Sequence, residues 1–80
     1  MLEDLQGSKV LVGVKQSSQA VANCTANKAF VAADADDAVK LPFLALCKEN
    51  LIPVEFVETK EKLGKACGIS VGAACAVICL

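Results

Sequence analysis

The residues able to do chemistry fall in three short segments and a scatter of thiols. Gly13-Val14-Lys15-Gln16-Ser17-Ser18-Gln19 follows an apolar run and opens a polar stretch. A lone glycine at such a strand-to-helix turn brings backbone N–H groups and a lysine together, a generic anion site. Asp34, Asp36 and Asp37 form an acidic turn. They can hold Mg²⁺ through oxygen ligands, or simply complement the positive end of the next helix dipole. Lys60, Lys62 and Lys65 follow Thr59 in the third segment.

The thiols are Cys24, Cys47, Cys67, Cys75 and Cys79, with no C-x-x-C pair, and the chain has no histidine. That absence removes the usual zinc ligand set, the usual general base and the Cys–His dyad. Acid–base work would fall to carboxylates or lysines. Neither a Walker A nor a Rossmann glycine pattern is present. We therefore expect no enzyme, no metal and no cofactor. Cys75 and Cys79 in one strand would sit roughly 13 Å apart, too far to bridge. All five cysteines are expected as thiols, mostly buried as small hydrophobes.

The elements that must position these residues alternate. Lys9 to Gly13 reads as a first strand and Gln16 to Ala26 as a helix. That helix has a polar stripe of Lys15, Gln16, Gln19 and Asn23 and an apolar stripe of Ala20, Val21 and Cys24. Ala29 to Ala33 is a second strand, apolar enough to be buried on both faces. A helix follows the acidic turn and stops near Asn50, with Pro42 acceptable if it falls in the first turn. Val54 to Val57 is a third strand. Thr59 can cap a short helix from Lys60 to Cys67, stopped by Gly68. Ala73 to Leu80 is the last strand, and its unbroken apolar run makes it central. A short N-terminal segment, open to helix, precedes these elements. The pattern gives a three-layer α/β/α sandwich on a small four-stranded sheet. Pattern alone suggests a parallel sheet, yet the short turn from Gly68 to Gly72 leaves a reversed last strand equally open.

Composition bounds the rest. Eighty residues make one domain, 1–80, and 55% hydrophobic residues with a mean hydropathy of +0.53 supply a core. Eight lysines against nine acids give a net charge of −1, which excludes a strongly basic, non-specific nucleic-acid binder. No apolar run approaches the ~20 residues of a membrane span. The N-terminus lacks the basic and apolar regions of a signal peptide, so a cytoplasmic protein without membrane contact is expected.

Three segments in one register resemble the kink-turn RNA-binding ribosomal protein family of archaeal L7Ae and L30e, most closely its short bacterial, YbxF-type members. Gly13-Val14-Lys15-Gln16-Ser17-Ser18-Gln19 is similar to the family's G-T-N-E-x-x-K or G-T-K-Q-x-x-K. Val31-Ala32-Ala33-Asp34-Ala35-Asp36-Asp37, then Leu41-Pro42 and Leu46-Cys47, form the second. The third and most specific runs from Val57 through Thr59-Lys60, Leu63-Gly64, Ala66-Cys67-Gly68-Ile69 and Val71 to Ala73-Ala74. It resembles V-x-S/T-K-x-x-L-G-x-A-C/A-G-I/V-x-V-x-A-A.

The resemblance implies a mixed sheet of strand order 1-4-2-3 with the last strand antiparallel and central. It implies a partner as well: structured RNA containing a kink-turn, in ribosomal or riboswitch RNA, bound by a chain that is monomeric when free. Carried over, Gly13 lets backbone approach the RNA, and Lys15 and Gln16 face tandem sheared G·A pairs. Gln19 lies one turn further along, where the family has lysine. Lys60 and Lys65 contact backbone or a flipped base. Ile69, Ser70 and Val71 pack against an extruded nucleotide, and Asp36 aligns with an acid that touches it. Without the resemblance, Lys15, Gln16 and Gln19 make an ordinary solvated helix face. Ile69 and Val71 are then loop residues on the core, and the lysines of the third segment are surface charges. A ribosome-associated or assembly protein–protein module with weakened RNA contact is the competing reading, favoured by Gln19.

Overall fold

A computed structural model describes residues 9–79 of the chain. The N-terminal segment read as open to helix, and Leu80 of the last strand, lie outside the described residues. The elements in order are β1 (Val10–Val12), α1 (Val14–Ala22), β2 (Ala26–Ala32), α2 (Asp37–Glu49), β3 (Val54–Val57), α3 (Lys60–Ala66) and β4 (Cys75–Cys79). The strands form one sheet in the order β1-β4-β2-β3. β4 is antiparallel to both β1 and β2, while β2 and β3 are parallel. The last strand is therefore central and reversed, as the resemblance implied, and the wholly parallel sheet suggested by pattern is excluded.

Side-chain alternation along β2 builds two cores. Phe30 and Ala32 face one side and pack with Val57, Leu63 and Ala76. Ala29 and Val31 face the other and pack with Ala20, Val21, Phe43, Cys47 and Val77. The first core lies under α3, the second under α1 and α2. The result is the expected three-layer sandwich, and β2 is buried on both faces because helices cover both.

Several boundaries differ from expectation, and β4 begins at Cys75 rather than Ala73 because Ala73 and Ala74 still belong to the loop. α1 starts and ends earlier than Gln16 to Ala26. Gly13, at φ 103°, turns the chain straight into the helix, and its carbonyl accepts from Ser17 N at 3.0 Å. At the other end Cys24 takes the left-handed region at φ 61°, and Thr25 closes on the Ala20 carbonyl through both its amide and its hydroxyl. β2 consequently begins at Ala26 rather than Ala29. Pro42 is the sixth residue of α2, not part of its first turn. It removes one helical hydrogen bond, to the carbonyl of Ala38. Both residues are exposed, so water can serve that carbonyl.

The thiols divide instead of being mostly buried. Cys47 and Cys75 are buried, Cys67 and Cys79 half-buried, and Cys24 exposed, all as free thiols. Cys24 leaves the apolar stripe because the helix stops before reaching it. Burial pushes the thiols of Cys47 and Cys67 up, and burial with the nearby Cys47 pushes Cys75 from 9.0 to about 11. At pH 8 a thiol reagent should label Cys24 within the mixing time. Cys47 and Cys75 should react only at the rate of unfolding, as peptide mapping of the labelled protein will check. The sign for stability is equally definite. The unfolded chain loses the Cys75 proton first, so this contribution is full below about pH 9 and is lost toward 11.

Candidate nucleic-acid interface

Because β1, β2 and β3 run the same way and β4 runs back, one end of the sheet collects several features. The N-termini of all three helices meet there, as does the connection from α3 into β4. Gly13 sits at that end. Its amide donates to the Cys75 carbonyl at 2.9 Å, which sets the start of α1 beside the start of β4. The amides of Val14, Lys15 and Gln16 meet no acceptor among the described residues. Such free first-turn donors carry the positive end of the helix dipole.

α1 presents the start of the polar stripe that its sequence predicts, while in the buried stripe Ser17 stands with Ala20 and Val21 and Cys24 does not. Ser17, Ala20 and Val21 are buried against the sheet and α2, so Lys15, Gln16 and Gln19 point outward and are exposed. Lys15 and Gln19 share a face at i and i+4. Lys15 and Lys60 make no ion pair among the described residues. Ser17 Oγ is buried with no partner among them.

The loop from 69 to 74 is pinned at several points. Ile69 N donates to the Gly64 carbonyl at 3.0 Å, Ala73 N to the Lys60 carbonyl at 3.0 Å, and Ala32 N to the Ala74 carbonyl at 2.9 Å. Gly64 has no side chain where the Val71 carbonyl passes; a Cβ there would collide with that oxygen. The three loop residues singled out by sequence therefore separate. Ile69 is half-buried and leans on the core beneath α3. Ser70 is exposed, and Val71 is an exposed apolar side chain at 68%.

Thr59 caps α3 as expected, its hydroxyl accepting from Lys62 N at 3.1 Å. Lys60, the first residue of α3, stands at the shared end. Lys65 lies about 7.5 Å further along and about 140° around the axis. It approaches Glu61 at 3.4 Å and is not gathered with the rest. Lys62 donates to Glu58 at 2.9 Å and holds that carboxyl below the usual range.

The acidic turn is split among tasks. Asp34 Oδ1 accepts from the Lys60 amide at 2.8 Å, and Asp37 lies 3.7 Å from Lys40. Asp36 begins α2 with its carboxylate exposed and unpaired among the described residues. No group of acids and thiols that could hold a metal occurs among the described residues. Sequence reasoning missed the Asp34–Lys60 bond and the packing of Gly64 on Val71. The first has no local signal, since its partners are 26 residues apart. The second is visible only as an unexplained glycine inside a helical run.

The assembled end is an open surface: a helix N-terminus with lysine and glutamine, an adjoining pinned loop with an exposed valine, and the exposed Asp36 carboxylate. Known proteins of the same build exist. Residues 3–80 match the Ribosomal protein L7Ae/L30e/S12e/Gadd45 family. A similar protein is the RNA-binding protein YbxF of Geobacillus stearothermophilus, 40% identical over 74 residues, covering 92% of this chain and 90% of that one. Another is the RNA-binding protein TTE2299 of Caldanaerobacter subterraneus, 40% identical over 68 residues, with 85% and 83% covered. Among solved structures, the Giardia lamblia 15.5kD RNA binding protein superposes with a TM-score of 0.90 at 26% identity, over 99% of this chain and 70% of that one. A family match over almost the whole length, together with relatives 40% identical over most of the chain, leaves one assignment: this chain belongs to the ribosomal protein L7Ae/L30e/S12e/Gadd45 family.

Proposed function

We propose that this chain is a non-enzymatic RNA-binding protein that recognises kink-turn-like internal loops with tandem sheared G·A pairs. The observation that carries the reading is the convergence at one sheet end of the Gly13–Gln16 turn and the pinned loop bearing Val71. A-form helices hide their major groove, so proteins read bends, bulges and splayed bases. A kinked internal loop opens that groove. Gln16 offers both a donor and an acceptor to a guanine edge, and Lys15 donates to O6 and N7. The free amides of α1 add donors for backbone or base. Gly13 keeps that approach open. Val71 and Ser70, with Ile69 behind them, form the wall for an extruded nucleotide, and Asp36 offers it an acceptor. Lys60 supplies a cation at the same end, and Lys65 a more distant backbone contact. Such reading needs few charges, which agrees with a pI near 5.2. Structured ribosomal or riboswitch RNA in the cytoplasm is the proposed target, bound by a monomer.

A gel shift decides the matter. The kinked duplex should be retarded by the protein, and the same duplex without its G·A pairs should bind much less. Equal binding of both would remove the reading.

Gln19 favours a second reading, a ribosome-associated assembly module whose helix face meets protein. The two readings predict different outcomes for Gln19→Lys. A lysine one turn from Lys15 lies next to phosphate or guanine if α1 is the reading face. Kinked-RNA binding then tightens, and a phosphate contact steepens the slope of log K against log salt by about 0.7 to 0.9. An equal gain on kinked and unkinked duplexes in a salt titration would move the assembly module to first place.

A further inference from the structure

We propose that Asp34 is a positioning residue for the RNA-facing loop: by accepting the Lys60 amide it fixes, through the backbone of Lys60, the segment that carries Val71. The assignment rests on the RNA reading above for its consequence, but not for its mechanics. α3 has seven residues, too few to be stable by itself. Its first amides need acceptors. Thr59 serves Lys62 N from within the segment, whereas Lys60 N is served by Asp34 from the β2–α2 turn. The donor end of a helix also favours the negative charge.

Asp34 is itself held. The neighbouring Ala33 donates its amide to the Val57 carbonyl at 2.7 Å, and its carbonyl accepts Lys40 Nζ at 2.9 Å. On the far side, the Lys60 carbonyl accepts Ala73 N at 3.0 Å, and a Cβ on Gly72 would stand 3.1 Å from Lys60 Cβ. Lys60 is thus bracketed, its N–H by the acidic turn and its C=O by the loop. Freeing the N–H lets the first turn of α3 fray, and the carbonyl that anchors Ala73 goes with it. Asp37 makes no such link; it lies near Lys40 on its own helix. Of the acids in this turn, Asp34 joins two connections and Asp37 serves as the internal control.

The test uses the full chain with Asp34→Ala, Asp34→Asn and Asp37→Ala. Amide exchange at Ala73 is measured in the free protein, and affinity is measured on kinked and unkinked duplexes. Asp34→Ala should speed Ala73 exchange and weaken kinked-RNA binding, each by about tenfold. Asn keeps an acceptor oxygen and should restore most of both, while Asp37→Ala should change neither. Lys60→Pro gives an independent arm for exchange alone. Proline suits the first helical position and lacks the donor, and Thr59 at φ −139°, ψ 158° already has the backbone that proline requires before it. With the ring holding the first turn in place, this variant isolates the tether to Asp34 itself, so Ala73 exchange should rise, but by less than in Asp34→Ala, even if the latter fails to fold. Unchanged Ala73 exchange in the variants, or no rescue by Asn, overturns the assignment. A wild type that ignores the kink overturns the RNA reading instead, and leaves the exchange result to judge the relay.

Discussion

Replacing Gly64 with alanine should destabilise the protein by about 1–3 kcal/mol, although alanine is the better helix former. Propensity alone would favour the change by up to about 1 kcal/mol. The geometry reverses the sign. Gly64 is buried in α3, and its missing Cβ leaves the space through which the Val71 carbonyl runs. The obstacle is backbone, so no rotamer change relieves it. Either α3 or the loop must move, and the loop carries the hydrogen bonds from Ile69 to Gly64 and from Ala73 to Lys60. Urea denaturation should show the loss, as a midpoint shift with little change in slope. In a domain of this size each kcal/mol lowers Tm by about 4–8 °C. Kinked-RNA binding should fall further than stability requires, because Val71 is displaced. Gly68→Ala is the comparison. Gly68 sits at φ 82° with nothing within 4 Å of a built Cβ, so it carries backbone strain but no collision. It should cost stability while leaving the kink preference near wild type. A Gly64→Ala protein as stable and as selective as wild type would mean that this close approach does not shape the loop.

Legibility in the sequence followed the range of the interactions. β3 was readable to the residue, and the α3 region nearly so, because Pro53, Thr59 and Gly68 punctuate them locally. The buried centre of β2 was readable from its apolar run. Its first residues were not, since Lys28 looks like a surface residue. In the fold Lys28 lies 5.1 Å from the Phe30 ring centre and reaches Glu55 on the next strand at 2.9 Å, a cross-strand partner that local pattern cannot supply. The direction of β4 was undecidable from a short turn and an apolar run, both of which suit either pairing. A resemblance spanning three segments settled what periodicity could not. The same division holds at the candidate interface. The exposed stripe of Lys15, Gln16 and Gln19 follows from helical spacing alone. The different situations of Ile69 and Val71 depend on α3 lying beneath the loop, and the role of Asp34 depends on a strand bringing two distant turns together.

Gln16→Ala and Lys15→Ala should each cost about 1–3 kcal/mol in binding to a kinked duplex, with little effect on the fold. Both side chains are exposed on α1, Lys15 opposite Ala20 and Val21 and Gln16 at the edge of the exposed face, so truncation opens no cavity. Alanine also favours helix at least as well as either residue. A binding loss in these variants therefore reports contact with RNA rather than damage to the scaffold. The two should differ in kind. Gln16 is neutral, and its loss should leave the salt dependence as it was while eroding the preference for G·A pairs. Lys15 is charged and beside free helix amides. If it reads guanine O6 and N7, Lys15→Ala erodes the same preference. If it serves phosphate, binding weakens on every RNA and the salt slope drops by about 0.7 to 0.9. Titrations of both variants on kinked and unkinked duplexes at two salt concentrations separate these outcomes. Wild-type affinity in both variants would take the first turn of α1 out of the interface. The exposed loop around Val71 alone could not then distinguish one RNA from another, because an apolar wall accepts any base that stacks on it.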